Sequence, residues 1–470
     1  MVLDIKSLGD MLDNVRELVR PSYGHYEMDD PSEQGPPMPP RSRNGDYRIE
    51  IEARKKKPKL RRTWSISKVL PHVREVDDKA YTPNVVSIGP FHHNTNKALD
   101  AQKRRVLDRL LKRTKLCEAE LLDAMRKLEA ETRNCYSEEF DMINSDEFVQ
   151  MMMLDACFVV ELLRLHEKIK EGKEVDEPIF GTRWMQPNIG RDLLMLENQL
   201  PMFVLNEIYT LTSSCSWSSS PNKLALQFLE PLRLGKNPMP ERKLDTTDKY
   251  EHLLHLFHSS HGPVDQDSNS DQTKRTMLKH DEKLPGKGWV NNAWKLISAG
   301  IVLKGKSGDH QPLDIEFKKK VLKIPTLFLD DGSSPLLRNL IAYEQSNRCV
   351  EPYFSCLAIF FDSIVDTGKD INILRNAGII KQAAGGNREI VHLFNSLTKE
   401  LQFDIGEYCP ITSQIEDINY HCRSRTARLK IPVRSFFSRL DYFYCVLTLI
   451  SVGAIMYGLY YQFHHSENEK

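Results

Sequence analysis

The stretch FVQMMMLDACFVVELLRL, from Phe148 to Leu165, is apolar on nearly every side of a helix. A helix with this pattern lies either in a protein core or across a membrane. The stretch also contains Asp155, Glu161 and Arg164, and a charge near the centre of a bilayer costs about 3 kcal/mol or more. We therefore predict a helix buried in the middle of a folded body.

The residues on both sides of this helix predict a body over residues 64–435 that is mainly α with minor β. Apolar residues at helical spacing predict further helices over 96–133, 191–211, 289–298, 353–365, 370–377 and 387–401. Pro201 is expected to kink or split the second of these, and Ser334 is expected to cap another helix with Pro335 at its first position.

Short extended runs complete the predicted body. One covers residues 81–93 and ends in a turn at Gly89 and Pro90, and two others, over 315–317 and 322–329, form a hairpin-like element. Polar stretches near 212–222 and 259–288 predict flexible loops.

Two segments of different character precede the body. Residues 1–20 carry apolar residues at helical spacing, which predicts an amphipathic helix. Docking on its own domain is the favoured placement, and pairing with a partner helix or lying on lipid are the alternatives. Residues 21–62 are rich in Pro, Gly, Ser and charge, which predicts a disordered linker ending in a basic cluster from Arg54 to Arg62. For this cluster, contact with anionic lipid and a solvated run without a ligand both remain open, and nuclear import is a third interpretation.

A second apolar run, YFYCVLTLISVGAIMYGLYYQF, extends from Tyr442 to Phe463 without a charged side chain. About 20 such residues are enough for a helix to cross a bilayer, and aromatic residues at both ends are typical of a membrane span. We therefore predict one C-terminal transmembrane helix, with the lipid bilayer as its partner and residues 464–470 as a short tail. Ala454 and Gly458 form a small-residue pair that would let two such helices approach closely.

Charge predicts the orientation of the chain. Six basic residues lie between 423 and 439, whereas only Lys470 follows the apolar run, so we expect the body to be cytoplasmic, at the plasma membrane. Lys and Arg together number 65, as do Asp and Glu, so no overall field favours nucleic acid.

One motif matches a nucleotide-binding pattern. The stretch GIVLKGKS, from Gly300 to Ser307, fits the phosphate-loop spacing, and Thr326 to Asp330 mimics its acidic strand end. However, a phosphate loop must leave a strand and enter a helix, whereas here a predicted helix precedes Gly300 and Lys306 is followed by Gly308, Asp309 and Pro312. The apolar residues between the two glycines also favour a strand, so we expect no nucleotide cofactor.

The histidines do not form a convincing metal site. His252, His255, His258 and His261 recur every third residue, so on a helix only neighbouring pairs share a face. His92 and His93 are adjacent and cannot easily point at one ion from an extended segment. We therefore expect no metal ion.

Four acidic residues, Asp155, Glu161, Asp192 and Glu197, lie in apolar helices and are the candidates for catalysis. Two buried carboxylates with separated pKa values can act as a general acid and base. The structural alternative is pairing with a base, for which Arg164 and Arg191 are available, or capping of a neighbouring helix. We assign no catalytic residue, and whether these acids are structural or functional stays open.

Several separated stretches resemble the plant domain-of-unknown-function 247 family. They are YTPNVVSIGPFHH from residue 81, DACF from 155, RDLLMLENQLP from 191, the segment 314–329 and LLRNLIAYEQ from 336. The resemblance covers residues 64–463 and implies a plant source and a single-pass membrane protein with no established enzymatic activity. It also implies a link to pollen–stigma recognition, in which some members of the family are implicated.

Three functions remain after this reading. The first is a membrane-anchored, non-enzymatic recognition, scaffold or signalling protein that presents its body to protein partners. The second is an enzyme at a membrane face that uses the buried carboxylates. The third is a nuclear regulator that uses the basic cluster. A polar pocket that gathers the four acids would favour the enzyme, and acids that each have their own base would favour the scaffold.

Overall fold

The computed structural model describes residues 64–94, 99–213, 219–235, 249–262, 289–306, 311–382, 385–399, 401, 409–424, 444 and 447–457. All of them belong to the compact unit Arg61–Lys470. The helix predicted over 1–20, the linker over 21–62, the tail over 464–470, and residues 214–218 and 263–288 of the two predicted loops lie outside the described residues.

The described part of the chain is mainly helical with a few short strands. Its α-helices are α1 Pro71–Arg74, α2 Asp100–Thr114, α3 Glu118–Arg133, α4 Ser145–Lys170, α5 Pro178–Gly181, α6 Met185–Asp192, α7 Met202–Thr212, α8 Pro221–Leu229, α9 Leu253–Ser259, α10 Ala293–Ser298, α11 Ser333–Ser346, α12 Tyr353–Ile364, α13 Gly368–Asn376, α14 Asn387–Leu397 and α15 Thr412–Arg423. Two 3₁₀ turns cover Asp78–Tyr81 and Glu230–Leu232. The strands are β1 Val302–Lys306, β2 Glu316–Lys318, β3 Val321–Pro325, β4 Leu327–Leu329 and β5 Ile380–Gln382.

Helix α4 lies at the centre of the body, as predicted. It begins where the Asn144 side chain accepts a hydrogen bond from the Glu147 N–H (2.9 Å). Between residues 148 and 165 every side chain is buried except Gln150 and Leu154, and α2, α3, α7 and α8 pack around it. An all-round apolar surface can be buried only when neighbours cover it on all sides, which is what these helices do.

The single helix predicted over 96–133 is wrong, because the structure has two helices there. Helix α2 ends at Thr114, and Lys115 adopts a left-handed conformation with φ 61°. Helix α3 then starts after Cys117, whose N–H donates to the Glu120 carboxylate (2.9 Å). A left-handed residue ends a helix, and lysine seldom adopts that conformation, so the sequence carries no signal for the break.

The helix predicted over 191–211 is split at Pro201, as expected, but the prediction of helix for the residues just before Pro201 is wrong. Helix α6 ends at Asp192, α7 begins directly after Pro201, and residues 193–201 between them are not helical. The Asn198 side-chain amide donates to the Asp192 carbonyl (2.9 Å), and the Gln199 amide donates to the Leu193 carbonyl (2.8 Å). These side chains satisfy carbonyls that a continuous helix would pair with backbone N–H groups.

The predicted hairpin is confirmed as β2 and β3, which pair antiparallel, with Lys319 and Lys320 at positive φ in the turn. Strand β1 pairs parallel to β3 and completes a three-stranded sheet in the order β1-β3-β2. The second extended run is divided at Thr326, and its outer part, β4, pairs parallel to β5.

The later helices that were predicted are present, but two of them begin elsewhere and α14 ends at Leu397 rather than at 401. Helix α10 begins at Ala293 rather than 289, because the Asn292 side chain caps it by accepting from the Lys295 N–H (3.0 Å). Helix α11 begins at Ser333, so Ser334 lies inside it and is not its cap; the Asp330 side chain accepts from the Gly332 N–H (2.9 Å) just before it. Helices α12, α13 and α14 occur where they were predicted.

Of the apolar run over 442–463, the structure describes Tyr444 and residues 447–457, which are helical, with Leu449 72% exposed. Within the described residues, no helix has both the length and the hydropathy to cross a bilayer. The observed fold class is therefore a mainly helical body with few strands.

Candidate functional site

Four buried carboxylates were the sequence-based candidates for chemistry. Asp155 and Glu161 lie on α4, Asp192 is the last residue of α6, and Glu197 lies in the non-helical stretch 193–201. All four are at most 3% exposed. Their hydrogen-bond donors decide whether they can act as a pair.

Asp155 bonds to a lysine and to the backbone of residues 64–89, which we call the docked segment. Its Oδ1 accepts from the Lys103 Nζ (2.5 Å), and its Oδ2 accepts from the Gly89 N–H (2.9 Å). Lys103 also donates to the Ser87 carbonyl (2.6 Å). Gly89 has φ 73°, and an added Cβ would lie 2.8 Å from the Gln199 carbonyl oxygen, which explains the glycine in the predicted turn.

Glu161 is held by two arginines. Arg164, one helical turn later on α4, donates from its Nε to Oε2 (2.8 Å) and pairs with Oε1 through its Nη2. Arg113 on α2 donates to Oε2 (3.2 Å). The expected partner Arg164 is thus confirmed, and the cluster joins α2 to α4.

Asp192 bonds only to backbone N–H groups among the contacts observed. It accepts from Asn84 (3.0 Å), Val85 (2.7 Å) and Val86 (2.8 Å) in the docked segment. Burial raises the pKa of Asp192 to about 6, despite these hydrogen bonds, which lower it. The suggested pairing of Arg191 with this acid is wrong, because Arg191 donates to Asp330 instead (3.1 Å).

Glu197 fixes the start of the docked segment. It accepts from the Val69 N–H (2.8 Å) and from Arg74 on α1 (2.5 Å), and the His92 Nε2 lies 3.4 Å away. Burial tends to raise the pKa of Glu197, but the bonds from His92, Val69 and Arg74 outweigh it and lower the pKa.

Two amide side chains extend this buried network. Asn198 accepts from the Ile88 N–H (2.6 Å) and donates to the Val86 carbonyl (3.0 Å). Asn339 on α11 accepts from the Leu196 N–H (2.9 Å) and donates to the Ala80 carbonyl (2.7 Å). The network therefore joins stretches that are far apart in sequence, from residues 81–93, 155–158, 191–201 and 336–345.

The four carboxylates do not meet in one pocket. Each is occupied by its own donors, and three of them hold the docked segment against the body. Acid–base or nucleophilic chemistry needs carboxylates that reach a substrate. This arrangement instead satisfies backbone N–H groups that would otherwise be buried without acceptors.

The phosphate-loop pattern lies on a strand. The prediction of extended structure there is confirmed by β1, in which the Gly305 N–H donates to the Ala377 carbonyl (2.6 Å) and Lys306 pairs with Asp314. The acidic residue of the pattern, Asp330, accepts from Gly332 and Arg191. These groups are committed to the fold and do not form an N-terminal anion site.

The histidines have separate environments. Helix α9 covers only Leu253–Ser259, so His252 caps it by accepting from the His255 N–H (3.2 Å), and His261 lies beyond its end. His258 contacts the Glu344 carboxylate (2.7 Å). His92 lies near Glu197 and His93 lies near Glu147 (3.1 Å), so the two side chains have different partners. Throughout the described ranges, no group of three or more His, Cys, Asp or Glu side chains is placed to hold a metal ion.

A cleft that sequence reasoning missed lies between the docked segment and helices α11 and α14. Its volume is about 560 Å³, within the range of small-molecule pockets. Its walls are largely apolar, formed by Val69, Leu70, Val73, Val76, Leu196, Ile341, Ala342, Leu397 and Leu401.

Polar atoms lie among these apolar walls. Arg338 is 7% exposed and donates from Nη2 to the Ser396 Oγ (2.7 Å), while its Nε lies 3.5 Å from the Asp77 carboxylate. The buried Tyr81 phenol lies beside the guanidinium; burial raises the pKa of Tyr81, and the charge of Arg338 opposes that shift. Within the described structure, neither the Arg338 Nε nor the buried Ser67 Oγ has a hydrogen-bond partner.

The buried network holds one wall of this cleft in place. Glu197 binds the N–H of Val69, a wall residue, and the side chain of Arg74, which lies on α1 beside Val73. Asn339 follows Arg338 on α11 and binds the Ala80 carbonyl, next to Tyr81. The buried acids therefore hold the cleft wall in position, although none of the four is a lining residue of the cleft.

Comparison with known proteins gives two curated relatives from Arabidopsis thaliana. A UPF0481 protein is 29% identical over 350 residues, covering 70% of this chain and 71% of the relative. A putative UPF0481 protein is 22% identical over 440 residues, covering 75% of this chain and 80% of the relative. No solved structure matches the chain.

A family model described as a plant protein of unknown function, DUF247, matches residues 66–460. The match includes the docked segment, α4, the stretch 193–201 and α11, which carry the buried network. The chain therefore belongs to the DUF247 family of plant proteins of unknown function.

Proposed function

We propose that this protein is a membrane-tethered recognition protein that works by binding and not by catalysis. The observation that carries the proposal is the commitment of the buried carboxylates: Asp155, Glu161 and Glu197 each have a cationic partner, and Asp192 has three backbone N–H donors. The polar side chains of Arg338 and Ser67 belong to the cleft lining instead. Binding is the activity that such a cleft supports.

The enzyme alternative draws on Asp192, because a pKa of about 6 suits a general acid or base. Its side chain is, however, completely buried and is absent from the cleft lining. A substrate in the cleft would meet Arg338, Tyr81 and Ser67. The two carboxylates close to these groups are already paired with cations, Asp77 with Arg338 (3.5 Å) and Glu138 with Lys68 (2.9 Å). Recognition is therefore the stronger proposal.

The tether in this proposal is the apolar run over 442–463, with the body cytoplasmic at the plasma membrane. Its support is the uncharged sequence, the aromatic residues at both ends and the basic residues before it. Contact of the basic cluster from Arg54 to Arg62 with anionic lipid would add to the attachment. The recognition role is also in line with the cell–cell recognition in which some family members are implicated.

The tether is tested by alkaline carbonate extraction of membranes from plant cells that express the full-length chain. We expect the wild type to stay in the pellet and the double variant Val452→Arg, Ile455→Arg to be released, because two arginines near the middle of the run oppose insertion. A control variant, Arg104→Gln, should behave as the wild type. Release of the wild-type chain would contradict the tether.

The recognition face is tested by proximity labelling in the same cells. Leu70→Asp changes the cleft rim at a side chain that is 59% exposed, so it should leave the fold intact. We expect this variant to remain at the membrane but to lose specific neighbours that the wild type and Arg104→Gln both label. An unchanged set of neighbours would contradict the assignment of the cleft as the recognition face.

A further inference from the structure

We propose that the cleft binds a small apolar carboxylic acid, with the carboxylate at Arg338 and the hydrocarbon part along the wall of Val69, Val73 and Leu397. This inference rests on the proposed function only in taking the cleft as the recognition face, and it adds the chemical class of the ligand. It does not depend on the membrane tether.

The size of the cleft points to a small molecule. About 560 Å³ lies within the range of pockets that enclose most of a drug-sized ligand. Two helices and the docked segment form the walls, and the network through Glu197 and Asn339 fixes them. The pocket is thus held by the fold before a ligand enters it.

The charge of the cleft points to one anionic group. Arg338 is a cation that is more than nine-tenths buried, and it is one of the residues that line the cleft. Asp77 lies 3.5 Å away with a side chain that is 35% exposed, so it balances the charge only in part. Arginine binds carboxylates through two of its N–H groups, and Tyr81 and Ser67 lie in the same lining as further donors. The other basic residues of the lining, Lys68 and His72, are exposed, and Lys68 pairs with Glu138 (2.9 Å). A single carboxylate therefore matches the buried charge of Arg338.

The walls point to an apolar body for the ligand. Val69, Ile341, Ala342 and Leu397 are buried, and they line the same cleft as Arg338. At the rim, Trp64 and Leu70 are 45% and 59% exposed and would cover the far end of a hydrocarbon chain. Removing this apolar area from water supplies most of the binding energy, and the arginine selects the head group.

The experiment uses the full-length protein in phospholipid nanodiscs and dodecanoic acid that carries a photoreactive diazirine at its terminal carbon. After irradiation, mass spectrometry of peptides maps the labelled residues. We expect labelling in peptides that contain residues 64–76, 341–346 or 396–401. Unlabelled dodecanoate should compete, whereas dodecanol and dodecyltrimethylammonium, which have similar chains but no carboxylate, should compete at least tenfold less well.

Two variants and one control test the assignment of the head group and the wall. Arg338→Gln removes the charge, and we expect it to weaken competition by dodecanoate about 10- to 100-fold, the effect of losing a hydrogen bond to a charged group. Leu70→Asp places a like charge at the exposed rim and should weaken labelling even if Arg338→Gln fails to fold. Arg233→Gln is the matched control, because Arg233 is also 7% exposed and donates to a serine, Ser260 (2.8 Å), but lies outside the cleft lining.

Three results would overturn the proposal: labelling confined to residues 442–463 or to lipid, equal competition by dodecanol, or equal labelling of Leu70→Asp and wild type. If the cleft residues cross-link only to peptides from residues 1–63, the chain's own N-terminal segment is the occupant of the cleft. This result would also overturn the proposal. If labelling fails while Leu70→Asp still loses its cellular neighbours, the ligand class is wrong and the recognition face stands.

Discussion

Replacing Lys103 by methionine tests whether the buried Asp155 serves the fold. Lys103 and Asp155 are 5% and 3% exposed, and the Lys103 Nζ lies 2.5 Å from the Asp155 Oδ1. Methionine keeps much of the apolar stem but leaves the carboxylate buried without its cation. Removing one partner of a buried ion pair costs about 3–5 kcal/mol, and we expect a loss of this size in the free energy of unfolding.

A second substitution separates the charge from the packing. Asp155→Asn keeps an acceptor for the Gly89 N–H (2.9 Å) but removes the charge. In the double variant Lys103→Met, Asp155→Asn no buried charge is left unpaired. We therefore expect it to be more stable than Lys103→Met alone by about 1–3 kcal/mol, the range of the penalty for an unsatisfied buried group.

The assay is urea denaturation of the full-length protein in detergent micelles, followed by tryptophan fluorescence. Arg104→Met is the control on the same helix, because Arg104 is exposed and pairs with the exposed Glu118 (3.0 Å). Such surface pairs contribute about 0–1 kcal/mol. The reasoning would be refuted if Lys103→Met were as stable as this control, or if the second substitution brought no recovery.

Three further predictions concern other parts of the body. Gly305→Ala should lower the free energy of unfolding by about 1–3 kcal/mol, because the new Cβ would lie 2.4 Å from the Gly378 carbonyl oxygen. In thermal unfolding, the control Gly181→Ala should show no such loss, because there is open space around Gly181. Glu344→Gln should lower the free energy of unfolding by about 1–3 kcal/mol relative to the exposed control Glu138→Gln. Glu344 accepts hydrogen bonds from the N–H groups of Phe354 (2.7 Å) and Ser355 (2.7 Å), and an amide cannot replace both acceptor oxygens. Burial lowers the pKa of His166 from 6.5 to about 4, and Lys170 adds a smaller effect. The neutral, folded-state histidine therefore contributes to stability above pH 6.5, and this contribution is lost as the pH falls through the folded pKa. Because His166 is partly exposed, the loss should be only about 1 kcal/mol. The free energy of unfolding should therefore fall less between about pH 7 and about pH 4 in His166→Gln than in the wild type. Parallel curves for the two proteins would contradict this prediction.

The fold could be predicted where the sequence pattern alone determines the structure. Helix α4 is recognisable because its apolar surface is continuous and a bilayer does not tolerate its three charges. The break at Lys115 and the non-helical stretch 193–201 could not be predicted. The break depends on the local backbone conformation of Lys115. The non-helical stretch depends on side chains such as Asn198 that bond to a distant segment, and the periodicity of apolar residues does not record such bonds.

The candidate site was predicted only in part. The buried acids could be named because acidic residues are rarely buried without partners, but their donors, Lys103 and the backbone N–H groups of 84–89, come from other elements. The cleft was missed because its lining comes from five stretches that are separate in sequence, within 64–81, 137–138, 196, 338–346 and 396–401. Its one available signal was Arg338, an arginine inside the apolar stretch LLRNLIAY, and a cation in such a place marks either a buried pair or a binding site.

Amide hydrogen exchange of the wild-type, full-length protein tests most directly whether the buried carboxylates hold the docked segment. The N–H groups of Val69, Val85, Val86 and Gly89 donate to Glu197, Asp192 and Asp155. If these bonds hold the segment, the four amides should be protected to a similar degree as those in the middle of α4. Exchange of these amides at the rate of an open chain, while α4 stays protected, would contradict the account.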